Sequence, residues 1–391
     1  MRIVSVADIH LGSSIYGAID HVVGLHSREI DFLNTLDKCI DFVIAPENKI
    51  DLFAILGDLY LDRHPSLTQQ REFAKRLARL SLAKKETLVI KGNHDVPEGE
   101  GLAHTSSVIQ QFKIPYITIV DEPQLIDFED TAIVAIPYLC RRTLQKKTQE
   151  EALEYYIETV EALRSQSGKK NNVCMVHQTL ENSILSAGYR DLSTMDELVI
   201  PLSTFKDFDI TLAGHIHKHQ GLQRTPPVLY VGSLDRVDFG EANDAKGFVL
   251  ADSVTKKVDF ASLPVRDFLE FFIDISTLDE SVDLQKFVLD QLIVQDFSTK
   301  IFRLSIKLKD TQIAYLNQSE LAIFLKKKAW FAAKSSLDIV RTRRSRDSEV
   351  SEVVGIEDAL MKYVGSIPEY KSFADQLIKR GTEIIKEAES I

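Results

Sequence analysis

Ile3-Val4-Ser5-Val6-Ala7-Asp8-Ile9-His10-Leu11-Gly12 opens the chain with a short apolar run that breaks directly into an acid, a histidine and a glycine. The pattern returns at Leu52-Phe53-Ala54-Ile55-Leu56-Gly57-Asp58, at Leu88-Val89-Ile90-Lys91-Gly92-Asn93-His94-Asp95, at Val173-Cys174-Met175-Val176-His177, and at Ile210-Thr211-Leu212-Ala213-Gly214-His215-Ile216-His217. Such runs are too short for ordinary helices and read as buried strands. Between them, residues 27–45, 66–82 and 149–164 carry helical periodicity, which predicts a layered α/β architecture. Ser66 with Gln69 three residues on has capping-box spacing and marks a helix start. Further strands are predicted at residues 228–231 and 248–251, with the unit closing near Leu263-Pro264.

Each segment sets a carboxylate, amide or imidazole at the C-terminal end of a predicted strand, where open α/β sheets place their ligand sites. Asp8 with His10, and His215 with His217, are i, i+2 pairs that project to one side of an extended backbone. A single histidine at a strand end is ordinarily structural, but five such clusters in one chain point to a site. Oxygen and imidazole ligands without thiolate suit manganese, iron or zinc and disfavour copper(I) or a purely calcium site. The number of ligands implies two divalent ions. Asp8, His10 and His217 can hold one, Asn93, His177 and His215 the other, with Asp58 bridging them at about 3.5–4 Å. Such ions lower the pKa of a shared water, neutralise a phosphate and align an in-line displacement. His94, beside Asn93, is expected either to protonate or stabilise the leaving oxygen as the catalytic side chain, or only to orient Asn93. His21, His26, His64, His104 and His219 lack the spacing and read as ordinary residues.

Composition narrows the classes. With 391 residues the chain exceeds one ordinary core, and 44% hydrophobic with 27% charged residues predicts folding throughout. A formal net charge of -11 argues against a free-standing nucleic-acid binder, so a DNA substrate needs local basic patches, bound cations or a basic partner. Cys39, Cys140 and Cys174 form no CxxC pair and read as small buried apolar residues of a reducing compartment. No signal peptide or apolar stretch long enough to span a membrane is seen, and a cytoplasmic location is expected. From Arg266 a small α+β domain is expected, and from about Gly355 helices broken at Pro368, with Phe373, Leu377, Ile378, Ile384, Ile385 and Ala388 on one stripe. A basic run, Lys326, Lys327, Lys328, Lys334, Arg341, Arg343, Arg344 and Arg346, reads equally as a phosphate-contacting surface or a solvated face.

In this order the five segments resemble the motifs of calcineurin-like metallophosphoesterases, whose fold is a two-sheet sandwich flanked by helices. More narrowly, Asp8-Ile9-His10-Leu11-Gly12, Gly92-Asn93-His94-Asp95, Gly214-His215-Ile216-His217 and the stretch from Tyr230-Val231-Gly232-Ser233-Leu234-Asp235 to Glu241, followed by Lys246-Gly247-Phe248, are similar to the SbcD family of DNA exonuclease subunits. The resemblance implies a manganese-dependent nuclease domain over residues 1–265, a capping domain over 266–345, and a C-terminal segment, 346–391, that holds the coiled-coil base of an SbcC-type ATPase. It also implies a homodimer acting on DNA, as a 3′–5′ double-strand exonuclease and a single-strand or hairpin endonuclease, in double-strand break repair. No Walker A motif occurs, so any ATP dependence must come from the partner. One position departs: many members carry His or Asp three residues after the bridging aspartate, as partner of the histidine matched by His94, and this chain has Leu61. Asp62 or His64 could replace it, or the pairing is absent. A protein phosphatase fits less well, because Leu11 precedes Gly12 and Asp95 stands where a glutamate is wanted. A small-molecule phosphodiesterase needs neither cap nor tail, and a non-catalytic scaffold would be expected to have lost ligands.

Overall fold

The computed structural model describes residues 1–96, 103–184, 196–279, 281–341, 356–366, 370 and 373–389. The chain divides into two compact units, one of Met1–Ile273, Lys286–Ser305 and Asn317–Ser336, the other of Asp274–Gln285, Ile306–Leu316 and Leu337–Ile391.

In the first unit the apolar runs become strands of two six-stranded sheets. In chain order these are β1 (Arg2–Val6), β2 (Leu52–Leu56), β3 (Glu86–Ile90), β4 (Ile117–Val120), β5 (Gln124–Asp127), β6 (Thr131–Ile136), β7 (Asn171–His177), β8 (Ile210–Gly214), β9 (Gln220–Arg224), β10 (Pro227–Tyr230), β11 (Gly247–Asp252) and β12 (Val258–Ser262). The first sheet runs β12-β11-β1-β2-β3-β4 and the second β9-β10-β8-β7-β6-β5. The four neighbours β1 to β4 are parallel, as are β6, β7, β8 and β10. Their C-terminal ends therefore lie along one edge of each sheet.

Period two explains why these strands read as continuous apolar runs. Ile3, Leu52, Ala54, Leu56, Leu88 and Ile90 of the first sheet pack with Ile133, Ala135, Val173, Met175, Ile210 and Leu212 of the second. The intervening residues Val4, Val6, Phe53, Ile55 and Val89 face outward onto helices α1 (Ser27–Ile44) and α2 (Leu67–Leu82), through Leu36, Ile40, Phe73 and Leu77. On the second sheet Val134, Cys174, Val176 and Ala213 face Ala152, Tyr156 and Val160 of α4 (Gln149–Gln166), which follows the short α3 (Ser107–Gln111). With both faces covered, alternation disappears. Leu212 is fully buried between the sheets. Leu212→Ala is expected to cost about 2–5 kcal/mol, read as a lowered urea midpoint at unchanged slope.

The helix starts obey local chemistry. Ser66 Oγ accepts from the Gln69 N–H at 3.2 Å while Gln69 Oε1 accepts from the Ser66 N–H at 2.7 Å, the reciprocal cap read from the spacing. His26 caps α1, its side chain accepting from Arg28 N–H, which gives this histidine a structural role. All three cysteines are buried and free. Three strands, β4 to β6, stand where the sequence predicts none between Ile90 and Gln149. β5 is a half-exposed edge strand with polar ends, and β6 carries two alanines, which strands disfavour, so neither gives the signal of β1 or β2.

Further along the chain come β13 (Phe268–Asp274), α5 (Leu284–Ile293), β14 (Ile301–Lys309), α6 (Gln318–Lys328) and β15 (Phe331–Ala332), with Ile301 and Phe302 paired in parallel to Phe331 and Ala332. Arg266 pairs with Asp31 through Nε and Nη2, and its guanidinium carbon lies 3.6 Å from the ring centre of Trp330. In the second unit, α7 (Ile356–Ser366) and α8 (Ala374–Glu389) pack together, and a Cβ at Gly381 would run into Leu360. Of the basic run, Arg343, Arg344 and Arg346 lie outside the described residues. No helix among the described residues is long and apolar enough to cross a membrane.

Candidate metal centre

The chain leaves β1 at Val6 and enters a left-handed turn: Asp8 has φ +50° and His10 φ +48°. Asp58 after β2 has φ +51°, and His215 after β8 has φ +98°. The expectation that the i, i+2 pairs project from an extended backbone is therefore corrected. Asp8 and His10 converge because both adopt a sparsely populated conformation that the surrounding backbone holds in place. The turn after β1 is laced to the turn after β2: Asp8 N–H donates to Gly57 O at 3.2 Å, His10 N–H to Asp58 O at 3.0 Å, and Leu61 N–H to Leu11 O at 3.0 Å. Gly92 lets the turn after β3 come up against the turn after β2, since a Cβ there would strike the Asp58 carboxylate and amide.

The residues singled out in the sequence gather at the sheet edge. Potential ligand atoms of Asp8, His10 and His217 lie within 4.8 Å of one another, as do those of His10, Asp58 and His94, and those of Asp58, His177 and His215. His10 Nε2 is 2.9 Å from His217 Nε2 and 3.8 Å from Asp58 Oδ2. Asn93 Oδ1 is 2.9 Å from both His177 Nε2 and His215 Nδ1, and Asp58 Oδ2 is 3.4 Å from His177 Nε2. Asp58 thus reaches histidines of both groups.

The polarity of these contacts tests whether cations fit. His177 Nδ1 lies 2.6 Å from Leu56 O, a group that can only accept, so the proton sits on Nδ1 and Nε2 of the neutral ring carries a lone pair. That lone pair faces two further acceptors, Asn93 Oδ1 and Asp58 Oδ2. Acceptors buried against acceptors are unfavourable unless a positive charge lies among them. Without a cation the same negative charge draws a proton onto His177 instead. Burial disfavours a charged His177, but the charge and hydrogen bond of Asp58 outweigh it and push the imidazole up to about 9. Burial likewise opposes the Asp58 charge, and His177 outweighs it, holding the carboxyl well below its usual range. His10 is pushed well below its usual range by burial and by His217. The residues present fit divalent cations.

His94 is placed differently. Its main-chain N–H donates to Asp58 Oδ1 at 2.9 Å, and its ring Nδ1 donates to Leu61 O at 2.8 Å. The missing side chain at position 61 is thus replaced by the backbone carbonyl of the same residue. Neither Asp62 nor His64 substitutes, because both side chains are largely exposed and turn to each other at 3.5 Å.

Three carboxylates escaped the sequence reading. Glu241 Oε1 is 2.6 Å from His217 Nδ1 and Glu197 Oε1 is 2.7 Å from His215 Nε2. Asp95 Oδ2 accepts from the N–H groups of Gly92 and Asp58 at 2.9 and 3.1 Å, and its Oδ1 accepts from Thr105 Oγ1 at 2.6 Å, so it fixes the turn that carries Asn93. Burial, then the Asp58 charge, push Asp95 up to about 6. Glu241 and Asp95 lay in recognisable motifs, but their positions there gave no hint of their partners.

Several known proteins are similar to this chain. The SbcD component of the SbcCD nuclease of Staphylococcus epidermidis is 25% identical over 64% of this chain and 66% of its own length. "Exonuclease subunit 1" of Enterobacteria phage T4 is 23% identical over 66% of this chain and 67% of its own. "DNA double-strand break repair protein Mre11" of Sulfurisphaera tokodaii is 24% identical over 57% and 50%. The chain thus spans about two thirds, or less, of the length of these curated relatives. The resemblance to SbcD-type nucleases read from the motifs is matched by these relatives. Residues 1–219 match the family described as calcineurin-like phosphoesterase, and that match takes in more than half of the 391 residues together with every strand-end side chain from Asp8 to His217: the chain belongs to the calcineurin-like phosphoesterases.

Proposed function

We propose that the chain is a manganese-dependent DNA nuclease, the nuclease subunit of an SbcCD-like complex, acting as a 3′–5′ exonuclease on duplex ends and as an endonuclease on single strands or hairpins during double-strand break repair. The observation that carries this reading is the set of buried acceptors around Asn93 and Asp58 that face one another. Asp8, His10 and His217 would hold one ion, Asn93, His177 and His215 the other, with Asp58 shared. When bound, the ions supply Lewis acidity for the phosphoryl group and a water acidified towards neutrality. The oxygen and imidazole donor set suits manganese. The names of the relatives support DNA as the substrate and membership of a two-component assembly. Bound cations would also answer how a chain of net charge -11 attracts a phosphodiester. The test is hydrolysis with manganese of a blunt duplex, a hairpin, a phosphopeptide and a small phosphodiester; a preference for the phosphopeptide sinks the nuclease reading.

Within this proposal residues 1–265 are the nuclease, 266–345 a capping domain and 346–391 the ATPase-binding segment of a cytoplasmic homodimer. The tail supports a helical docking mode. Phe373, just before α8, and Leu377 and Ile384 on it are exposed, as are Met361 and Tyr363 on α7. Apolar anchors at helical spacing fit the coiled-coil base of an SbcC-type ATPase. Truncation after Val354 is expected to leave the manganese-dependent activity of the isolated protein within about twofold and to abolish co-purification with the ATPase, because the contact energy is concentrated in such anchors. Undiminished ATPase binding by the truncated chain moves the interface elsewhere.

A further inference from the structure

His215 and His217 sit two residues apart on one turn, and each is gripped by a carboxylate from a distant loop, on opposite ring nitrogens. Glu241 faces Nδ1 of His217, whose Nε2 points at His10 Nε2, 2.9 Å away. Glu197 faces Nε2 of His215, whose Nδ1 points at Asn93 Oδ1, also 2.9 Å away. An ionised carboxylate only accepts, so each holds a proton on the nitrogen it touches and leaves the lone pair on the other.

Each carboxylate is itself fixed. Glu241 pairs with the buried ammonium of Lys246 at 2.7 Å and accepts from Val237 N–H at 3.0 Å, while Lys246 also donates to His217 O at 3.0 Å and Ser233 Oγ at 2.7 Å. Glu197 accepts from the Thr179 hydroxyl. Lys246 thus holds both Glu241 and the main chain of the histidine that Glu241 orients.

We propose that Glu241 and Glu197 are positioning residues that lock His217 and His215 in opposite tautomers, so that the two histidines of one turn serve two different ions, His217 through Nε2 and His215 through Nδ1. The inference rests on the metal reading above. It assigns a separate support to each ion: Glu241 with Lys246 behind the group of His10, Glu197 with Thr179 behind the group of Asn93. Neutral imidazole bears its proton on either nitrogen, and without the lock each ring divides between a form that presents its lone pair to the site and one that does not.

The test uses the full chain, as wild type, Glu241→Gln and Glu197→Gln, titrated calorimetrically with manganese alone. An amide can donate as well as accept, so either change frees the tautomer without altering side-chain size. Each variant is expected to weaken one bound ion by about 10- to 100-fold and spare the other, and the double variant to weaken both. Long-range nitrogen–proton NMR of the metal-free wild type is expected to show the proton on Nδ1 of His217 and on Nε2 of His215. Equal weakening of both ions by each variant, unchanged affinity, or the reverse tautomers overturns the positioning roles. If Glu241→Gln fails to fold because Lys246 loses its counter-charge, Glu197→Gln and the wild-type tautomers decide. A wild type that binds no manganese, whatever its tautomers, overturns the metal reading instead.

Discussion

Asp58→Asn is expected to lower manganese-dependent hydrolysis by about 1,000-fold or more, some 4 kcal/mol of transition-state stabilisation, while the protein stays folded. The size of the effect follows from position. Asp58 is buried, and its carboxylate lies 3.4 Å from His177 Nε2 and 3.8 Å from His10 Nε2, so it contributes negative charge to both groups of imidazoles. Asparagine keeps the shape but removes that charge, leaving the group of Asn93, His177 and His215 with neutral donors alone and the group of Asp8, His10 and His217 with a single carboxylate, so that both hold a cation more weakly. The choice of asparagine matters for the backbone. At φ +51° an alanine would be strained by the left-handed conformation, whereas asparagine adopts it readily. Asparagine also keeps an oxygen to accept the His94 N–H. Circular dichroism and the urea midpoint should therefore match wild type while phosphodiester hydrolysis vanishes. Retention of even a tenth of wild-type turnover would remove Asp58 from its proposed bridging place.

How much of this was legible follows from what each contact is made of. Strand ends and their side chains were visible because β1, β2, β3, β7 and β8 are covered on both faces and so appear as unbroken apolar runs that stop at a glycine, acid or histidine. Edge strands such as β5 and β9 were not, since one side meets solvent and their polar residues mask the period. The left-handed turns at Asp8 and His10 were hidden for another reason: their N–H groups donate to main-chain carbonyls of the turn after β2, which carry no sequence signature, while the His215 N–H is held by the distant Asp8 carboxylate. The carbonyl of Leu61 as the partner of His94 is the same case. Reading a side-chain motif registers a loss at position 61, although the hydrogen bond is made by an atom every residue possesses. Glu197 and Glu241 belong to a third class. Their partners lie 18 and 24 residues away across loops, and no local periodicity links a carboxylate to a ring that far off.

That Leu61 contact also determines what His94 can do. His94→Ala is expected to reduce turnover by about 100-fold, the usual scale for loss of a proton-transferring side chain, with manganese affinity unchanged. Affinity should survive because the bond from this residue to Asp58 is made by its main-chain N–H, which alanine retains, and because Asn93 and Asp58 are held by Gly92, Asp95 and the laced turns rather than by the ring. The ring itself is anchored through Nδ1 on Leu61 O, which turns Nε2 away from the carbonyl, and its centre is 4.8 Å from that of His10. It therefore stands at the margin of the site with one nitrogen committed to position and one available to a substrate oxygen. The competing role is that of a ligand, since His94 shares a cluster with His10 and Asp58. The two are separated by measuring binding and turnover on the same variant. Loss of turnover at intact affinity assigns His94 to the leaving oxygen, whereas loss of a bound ion assigns it to the metal and withdraws the proton-transfer role.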